Sequence, residues 1–462
     1  MNRDKLEEVG QEEVYMEKTK FEIIGVKPIP RKYRYMNSSK IFIFWAMASA
    51  SATTPLIGYL LDSLGLIDIL IAFTISLLIG LIPAGLFSEM GRQFPVPALV
   101  VSRKTYGYLT SNALSFLYTI VNVGWFGLND TTGGLIVASL THTNPIPWYI
   151  FFGIIQILLV LYGARLLDYF YRYTAIILII SYSILTYFLF AYYKINISEI
   201  LYPTSNVNWG LTISLVLSFS ILSWTYKIST ATRFAKPYEE SKRASYFIAA
   251  PLGIMVPVYL MGVLGLISQD ITGNWNLPAV TFPVSSTVLS VIVVFASVGA
   301  SLAILHTNAM NLYPAVADIL TALQPALRNL EKISQPISTV ILGVGGVVAA
   351  IMGILQNATN FLLFVGDIIF PYTFIVLIDW YLRMRHQMIS GKLKITDFYT
   401  ISKSIKDNFN VYAVIATIIG TVLNVITILN LTTLYNYFPQ NLFGSLISAL
   451  IYYLFIKLKL VK

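Results

Sequence analysis

Apolar runs long enough to cross a bilayer recur along almost the whole chain, and this constrains everything else. A spanning helix needs about 20 predominantly apolar residues. Twelve intervals qualify: 41–61, 66–88, 112–140, 145–163, 173–193, 208–231, 246–268, 283–313, 336–355, 358–382, 410–430 and 440–457, referred to below as segments one to twelve. The gaps between them are too short for a soluble domain; the largest, 383–409, reads as a mixed amphipathic surface helix. Charged residues make up 11% of the 462 residues, against about 25% in soluble domains. The chain is therefore expected to be an all-α polytopic membrane protein whose function is performed by its helices.

Charge placement supports this division. All but Lys194 and Lys227 of the 31 Lys and Arg fall in the amino-terminal 40 residues, in the gaps after segments two, four, six, eight and ten, or at the carboxyl end. Under the positive-inside rule both termini are cytoplasmic, so the net charge of +9 reports topology and needs no nucleic-acid partner. The chain has no cysteine, which excludes disulfides and cysteine metal sites. The charged residues 1–40 lack an apolar core ahead of a small-residue cleavage site, so no cleaved signal is expected; residues 1–20 read as a mobile tail.

Two segments look interrupted. Segment one contains Ala48-Ser-Ala-Ser51-Ala-Thr53-Thr54-Pro55, small and hydroxylated residues ending in a proline that removes a backbone donor. Segment six contains Ser218, Ser220, Ser223, Trp224, Thr225, Tyr226, Lys227, Ser229 and Thr230. These occupy corresponding places if segments one to five and six to ten are inverted copies, and weakened helices at matching places point to a transporter's midplane site. Segment three adds Trp125 and Asn129, four apart and so on one helix face. Polar groups at such depth usually line a pathway or cavity. An aromatic plate beside an amide suits a small, flat, hydrogen-bonding solute, since an amide both donates and accepts.

The chain resembles the nucleobase–cation symporter family of cytosine, purine, hydantoin and vitamin permeases. The residues that carry the likeness are Pro28-Ile-Pro30 with the basic cluster Arg31 to Arg34, and Phe94-Pro95-Val96 with Arg103 and Tyr106-Gly107. They continue with Gly124-Trp125-Phe126-Gly127, Asn129 and Gly133-Gly134, then Ser223-Trp224 with Thr232-Arg233-Phe234-Ala235-Lys236, and Thr307-Asn308 with Asn311-Leu312-Tyr313.

The resemblance implies a leucine-transporter-type 5+5 inverted repeat with two further carboxyl-terminal helices. The division would be a tail at 1–40, repeats at 41–193 and 194–382, a cytoplasmic loop at 383–409 and a final pair at 410–462. It implies a secondary active transporter of the cell membrane, importing a planar heterocycle with a co-transported cation by alternating access, without a cofactor. Trp125 and Trp224 would sandwich the ring, with Ser223 beside Trp224; Asn129 would stand where the family has glutamine, and Asn308 or Asn311 would reach in from segment eight. Carbonyls near Ala48 and Ser51 at the break, with Ala303, His306 and Thr307 on segment eight, would form the coupling site.

His306 stands where the family's sodium site has a hydroxyl, and histidine suits a transported proton; Lys227 is a second buried ionisable group on segment six. Proton coupling is therefore expected ahead of sodium coupling. Asp130 either relays protons with His306 or bonds Thr131, Thr132 or a facing helix. The alternatives to this reading are an amino-acid permease of the same fold, and a channel or membrane-embedded enzyme.

Overall fold

Residues 25–194, 197–201, 207–324, 331–400, 408–428 and 436–461 are described by a computed structural model. The expected tail 1–20, part of the 383–409 loop, the end of segment eleven and Arg328 lie outside these residues.

A helix occupies each of the twelve intervals. Segments two to five form Leu66–Gln93, Tyr108–Thr141, Ile146–Leu161 and Ala164–Tyr192. Segment seven is Ala244–Thr272, and segment eight is the turn-linked pair Thr287–Ser301 and Ala303–Leu323. Segments nine to twelve are Glu331–Ile351, Ala358–Asp379, Val411–Ile428 and Gln440–Lys457. Among the described residues, seven helices are long and apolar enough to cross a membrane: segments two and five to ten. Segments four and eleven are shorter apolar helices, and segment one is broken. The β-structure among the described residues is a single bridge, Met36 to Ala235.

Large apolar side chains face outward along segments two, five and eight, among them Leu78, Ile82, Ile176, Ile179 and Phe295. Polar side chains are turned inward: Asn122, Asp130, Gln156, His306, Asn308, Asn311 and Asp318 are all buried. This polarity, inverted relative to a soluble protein, is what a hydrocarbon surrounding demands.

Both expected interruptions are present. The first helix runs Ser38–Ser49 and resumes at Leu56–Leu60, with Pro55 at its N-cap. Hydroxyls satisfy the backbone freed between them: Thr54 Oγ1 donates to Ser49 O at 2.5 Å and accepts from Ser51 N at 3.1 Å, while Ser51 Oγ accepts from Thr53 N at 3.1 Å. Segment six breaks between Trp209–Phe219 and Ile221–Thr232, at Ser220 with φ −120° and ψ −113°. Ser220 Oγ donates back to Val216 O at 2.5 Å.

Segment seven receives the broken segment one through a glycine groove. A Cβ on Gly265 would lie 1.9 Å from Pro55 O, and one on Gly58 would lie 2.1 Å from Gly262 O. Segment eight packs along segment three, segment two against six and seven, and segments eleven and twelve against ten. At the basic end, residues 25–36 strap the helix ends together. Ile29 N donates to Pro95 O, Met36 N to Phe234 O and Lys236 N to Met36 O, each at 3.0 Å. Buried Arg233 joins this strap to segment eight, donating to Gly25 O at 3.0 Å and to Tyr313 Oη at 2.9 Å.

The groove makes a direct prediction. Gly265→Val forces Pro55 away, and overpacking costs about 1–3 kcal/mol or more, so the melting temperature in detergent drops. Gly345→Ala is the control, because its new methyl meets nothing nearer than Val123 at 3.5 Å.

Candidate functional site

A small cavity lies between the two breaks. Ser49, Ser51, Thr53 and Thr54 line it from segment one, Trp125 and Asn129 from segment three, and Phe219 and Trp224 from segment six. Val258 and Thr307 close it from segments seven and eight. Its volume is about 20 Å³, room for a single water.

Three of the six residues expected to bind substrate therefore meet here: Trp125, Asn129 and Trp224. Asn129 is held in place, donating Nδ2 to Trp125 O at 2.7 Å and accepting from Ser51 Oγ at 2.9 Å. The shorter amide reaches segment one through a serine. The rings are braced by other aromatic side chains. Phe219 and Phe361 stand edge-on to Trp125 at 5.9 and 5.4 Å, and Trp45 stands edge-on to Trp224 at 5.6 Å.

The other three lie elsewhere. Ser223 Oγ donates to Ser220 O at 2.9 Å, repairing the segment-six break. Asn308 and Asn311 sit behind the cavity: Asn308 Nδ2 donates to Phe126 O and to Gln156 Oε1, both at 3.0 Å, and Asn311 Nδ2 donates to Asn308 Oδ1 at 3.3 Å. Both asparagines serve the helix interfaces rather than the cavity wall.

Of the residues expected to couple a cation, Thr307 donates Oγ1 to Ala48 O at 2.6 Å, and Ser51 lies on the same cavity wall. Ala303 starts the helix that carries Thr307. The His306 ring turns away, towards segment five: Nε2 meets Thr174 Oγ1, the ring packs against Phe170 and Tyr171, and Tyr171 Oη donates to His306 O at 2.6 Å. Lys227 is fully buried, with Nζ 4.6 Å from the centroid of Trp224 and donating to Asn311 Oδ1 at 2.8 Å.

Asp130 takes the second expected course and turns to a facing helix. Thr131 and Thr132 donate to Gly127 O and Leu128 O in their own helix, and the carboxyl faces Gln156 of segment four.

Comparison with known proteins identifies the site's family. Residues 28–445 match the family described as permeases for cytosine/purines, uracil, thiamine and allantoin. The chain belongs to this family, the nucleobase–cation symporters. It is 24% identical over 398 residues to a provisionally named purine-cytosine permease of Bacillus subtilis (strain 168), covering 82% of each chain. Among solved structures it resembles MHP1, a nucleobase-cation-symport-1 family transporter, in a closed conformation with bromovinylhydantoin bound. The TM-score is 0.77 at 17% identity, over 95% of this chain and 96% of that one. The inward-facing conformation of MHP1 matches with a TM-score of 0.74 at 19% identity, over 96% and 95%.

The fold is thus the leucine-transporter-type inverted repeat. The chain's relatives are permeases, which sets aside the enzyme and channel alternatives. Trp45, Phe219, Phe361 and Val258 are not marked by the sequence. They carry no periodic or polar signal within their apolar runs, and only the packing of segments six, seven and ten against segments one and three reveals them.

The Thr307 contact is testable by itself. Thr307→Val keeps the shape but leaves the Ala48 carbonyl without its donor, a buried loss of about 1–3 kcal/mol. A detergent melting curve should show a clear fall, whereas Ser290→Ala on the exposed face of segment eight should not change it.

Proposed function

We propose that this symporter imports a small planar heterocycle (a nucleobase, hydantoin or related vitamin), stacked between Trp125 and Trp224 and hydrogen-bonded by Asn129. The observation that carries this reading is the convergence of two indoles and one anchored amide on a cavity bounded by both helix breaks. Aromatic pairing contributes roughly 0.5–1.5 kcal/mol per ring beyond area burial, and Asn129 fits an N–H next to a C=O. Segment movement that parts the two tryptophans would open the site to one side at a time.

The driving cation in this proposal is the proton rather than sodium. Three features support it. The Thr307 hydroxyl and Ala48 carbonyl bond each other at 2.6 Å, so two oxygens that would ligate sodium are already paired. His306 brings a nitrogen in place of a hydroxyl and faces segment five. Lys227 already places an ammonium group behind Trp224. His306 Nδ1 has no hydrogen-bond partner among the described residues, leaving it open to a proton where segments five and eight meet. The surrounding membrane would be the cell membrane, with both termini on the cytoplasmic side.

A thermal-shift panel on the purified protein tests the substrate class, because a ligand that binds the native state raises its melting temperature. Cytosine, uracil, hypoxanthine, hydantoin, thiamine and amino acids would each be run at two pH values, with and without sodium. A planar heterocycle should stabilise the protein independently of sodium; stabilisation by amino acids alone would overturn the reading. Trp125→Ala and Trp224→Ala should each weaken that ligand by roughly tenfold, about 1.4 kcal/mol. His306→Gln should keep the shift but lose accumulation driven by a pH gradient, and unchanged accumulation would remove His306 from coupling.

A further inference from the structure

A chain of buried side chains runs from the back of Trp224 to the far side of segment three. Lys227 Nζ donates to Asn311 Oδ1 at 2.8 Å, Asn311 Nδ2 to Asn308 Oδ1 at 3.3 Å, and Asn308 Nδ2 to Gln156 Oε1 at 3.0 Å. The remaining Gln156 group, Nε2, has no hydrogen bond of normal geometry among the described residues, and neither has either Asp130 oxygen. These two face each other. Both asparagines therefore accept on the lysine side and donate on the aspartate side, and Gln156 continues that direction by turning its Nε2 towards Asp130, so the amide dipoles point head to tail from a cation to a carboxyl.

We infer that Asp130 is a second proton-binding position of the transport cycle, tied through Gln156, Asn308 and Asn311 to Lys227 beneath the substrate site. The inference rests on the proton-coupled reading above. Amides do not hand a proton on readily, so the chain transmits polarisation and not the proton itself. Aligned hydrogen bonds polarise one another, and a low local dielectric strengthens them. A cationic Lys227 stabilises the Asp130 carboxylate, while a protonated, neutral Asp130 removes that support.

A ring stacking on Trp224 changes the surroundings of an ammonium group 4.6 Å from that indole. Substrate binding and proton binding at Asp130 then share a coupling free energy, which acts in both directions.

The neighbours of Asp130 leave it a lone carboxyl rather than half of an ion pair. Segment four turns Tyr149 towards it, the one titratable side chain facing it among the described residues. Segment nine reaches the same place with Val347, across Gly153, where a Cβ would stand 4.0 Å from Asp130 Oδ2. Segment eight packs Ile304 against Gly133, just beyond it. Glycine at 153 lets Val347 pack close beside the carboxyl, since an added Cβ would stand 2.2 Å from Val347 Cγ2. At the other end, Lys227 feels Asp318 of segment eight, whose Oδ2 accepts from Asn122 of segment three at 2.9 Å, with Tyr226 and Tyr372 facing that carboxyl. Asp318 balances the lysine charge locally and leaves the amide chain to report it.

The test uses the full-length protein in detergent and in proteoliposomes, with radiolabelled cytosine, uracil, hypoxanthine and hydantoin as probes. In the wild type, substrate affinity should change with pH. Asp130→Asn should still bind, with a pH-dependence that has flattened, and should exchange substrate across the membrane while losing accumulation driven by a pH gradient. Difference infrared spectra, recorded without substrate, should contain a carboxylic-acid C=O band that titrates and disappears in Asp130→Asn. Gln156→Leu should keep that band and yet uncouple its titration from substrate, a result that a merely structural role would not produce.

An Asp130→Asn protein with wild-type pH-dependence of binding and uptake overturns the inference alone. A wild type driven by sodium and indifferent to pH overturns the proton reading and this inference with it.

Discussion

The backbone of segment one has to leave the helix inside hydrocarbon, and the structure depends on how that exposure is repaired. An unsatisfied peptide group there costs several kcal/mol. Here Thr54 and Ser51 bond the freed groups from within the break, and Thr307 reaches across from segment eight to the Ala48 carbonyl. The repair and the site are made of the same atoms. Ser51 that accepts from Thr53 N also donates to Asn129, so backbone satisfaction fixes the amide that faces the cavity.

The second break follows the same principle with different chemistry. Ser220 and Ser223 donate to carbonyls of segment six, and Asn441 of segment twelve donates to Ser218 Oγ and Ser214 O. Segment twelve is thereby a structural brace for the half of segment six that carries Phe219. The other half carries Trp224 and Lys227 in a wholly buried helix. A buried ammonium group is costly unless it is paired and hydrogen-bonded. The cation–π contact with Trp224, the bond to Asn311 and the nearby Asp318 share that task. Ionisable residues within membrane segments generally mark functional positions.

Sequence made the membrane class, the division into twelve segments and the two interruptions legible, because hydrophobic length and proline or hydroxyl runs are local properties. It also gave Trp125 and Asn129 as a pair, since four residues along a helix bring two side chains to one face. It did less well on segment eight. His306, Thr307, Asn308 and Asn311 are close in sequence, yet their side chains go to three places: segment five, the cavity, and the polar chain behind it. On a helix, each residue turns about 100° from the last, so neighbours in sequence are distributed among different interfaces. Gln156 and Asp318 gave no sequence signal beyond being polar, and their partners lie on helices far away along the chain.

What the sequence by itself determined is the solvent this protein lives in, its helical construction, its family and the two places where helices fail. Those follow from composition, spacing and short motifs that need no partner to be read. The tertiary structure decided which of the polar residues form the cavity, which repair the backbone, and which join Lys227 to Asp130. The physical reason is that hydrocarbon offers buried polar groups no hydrogen bonds, so each must find its partner on another helix. Which partner it finds is a property of packing alone.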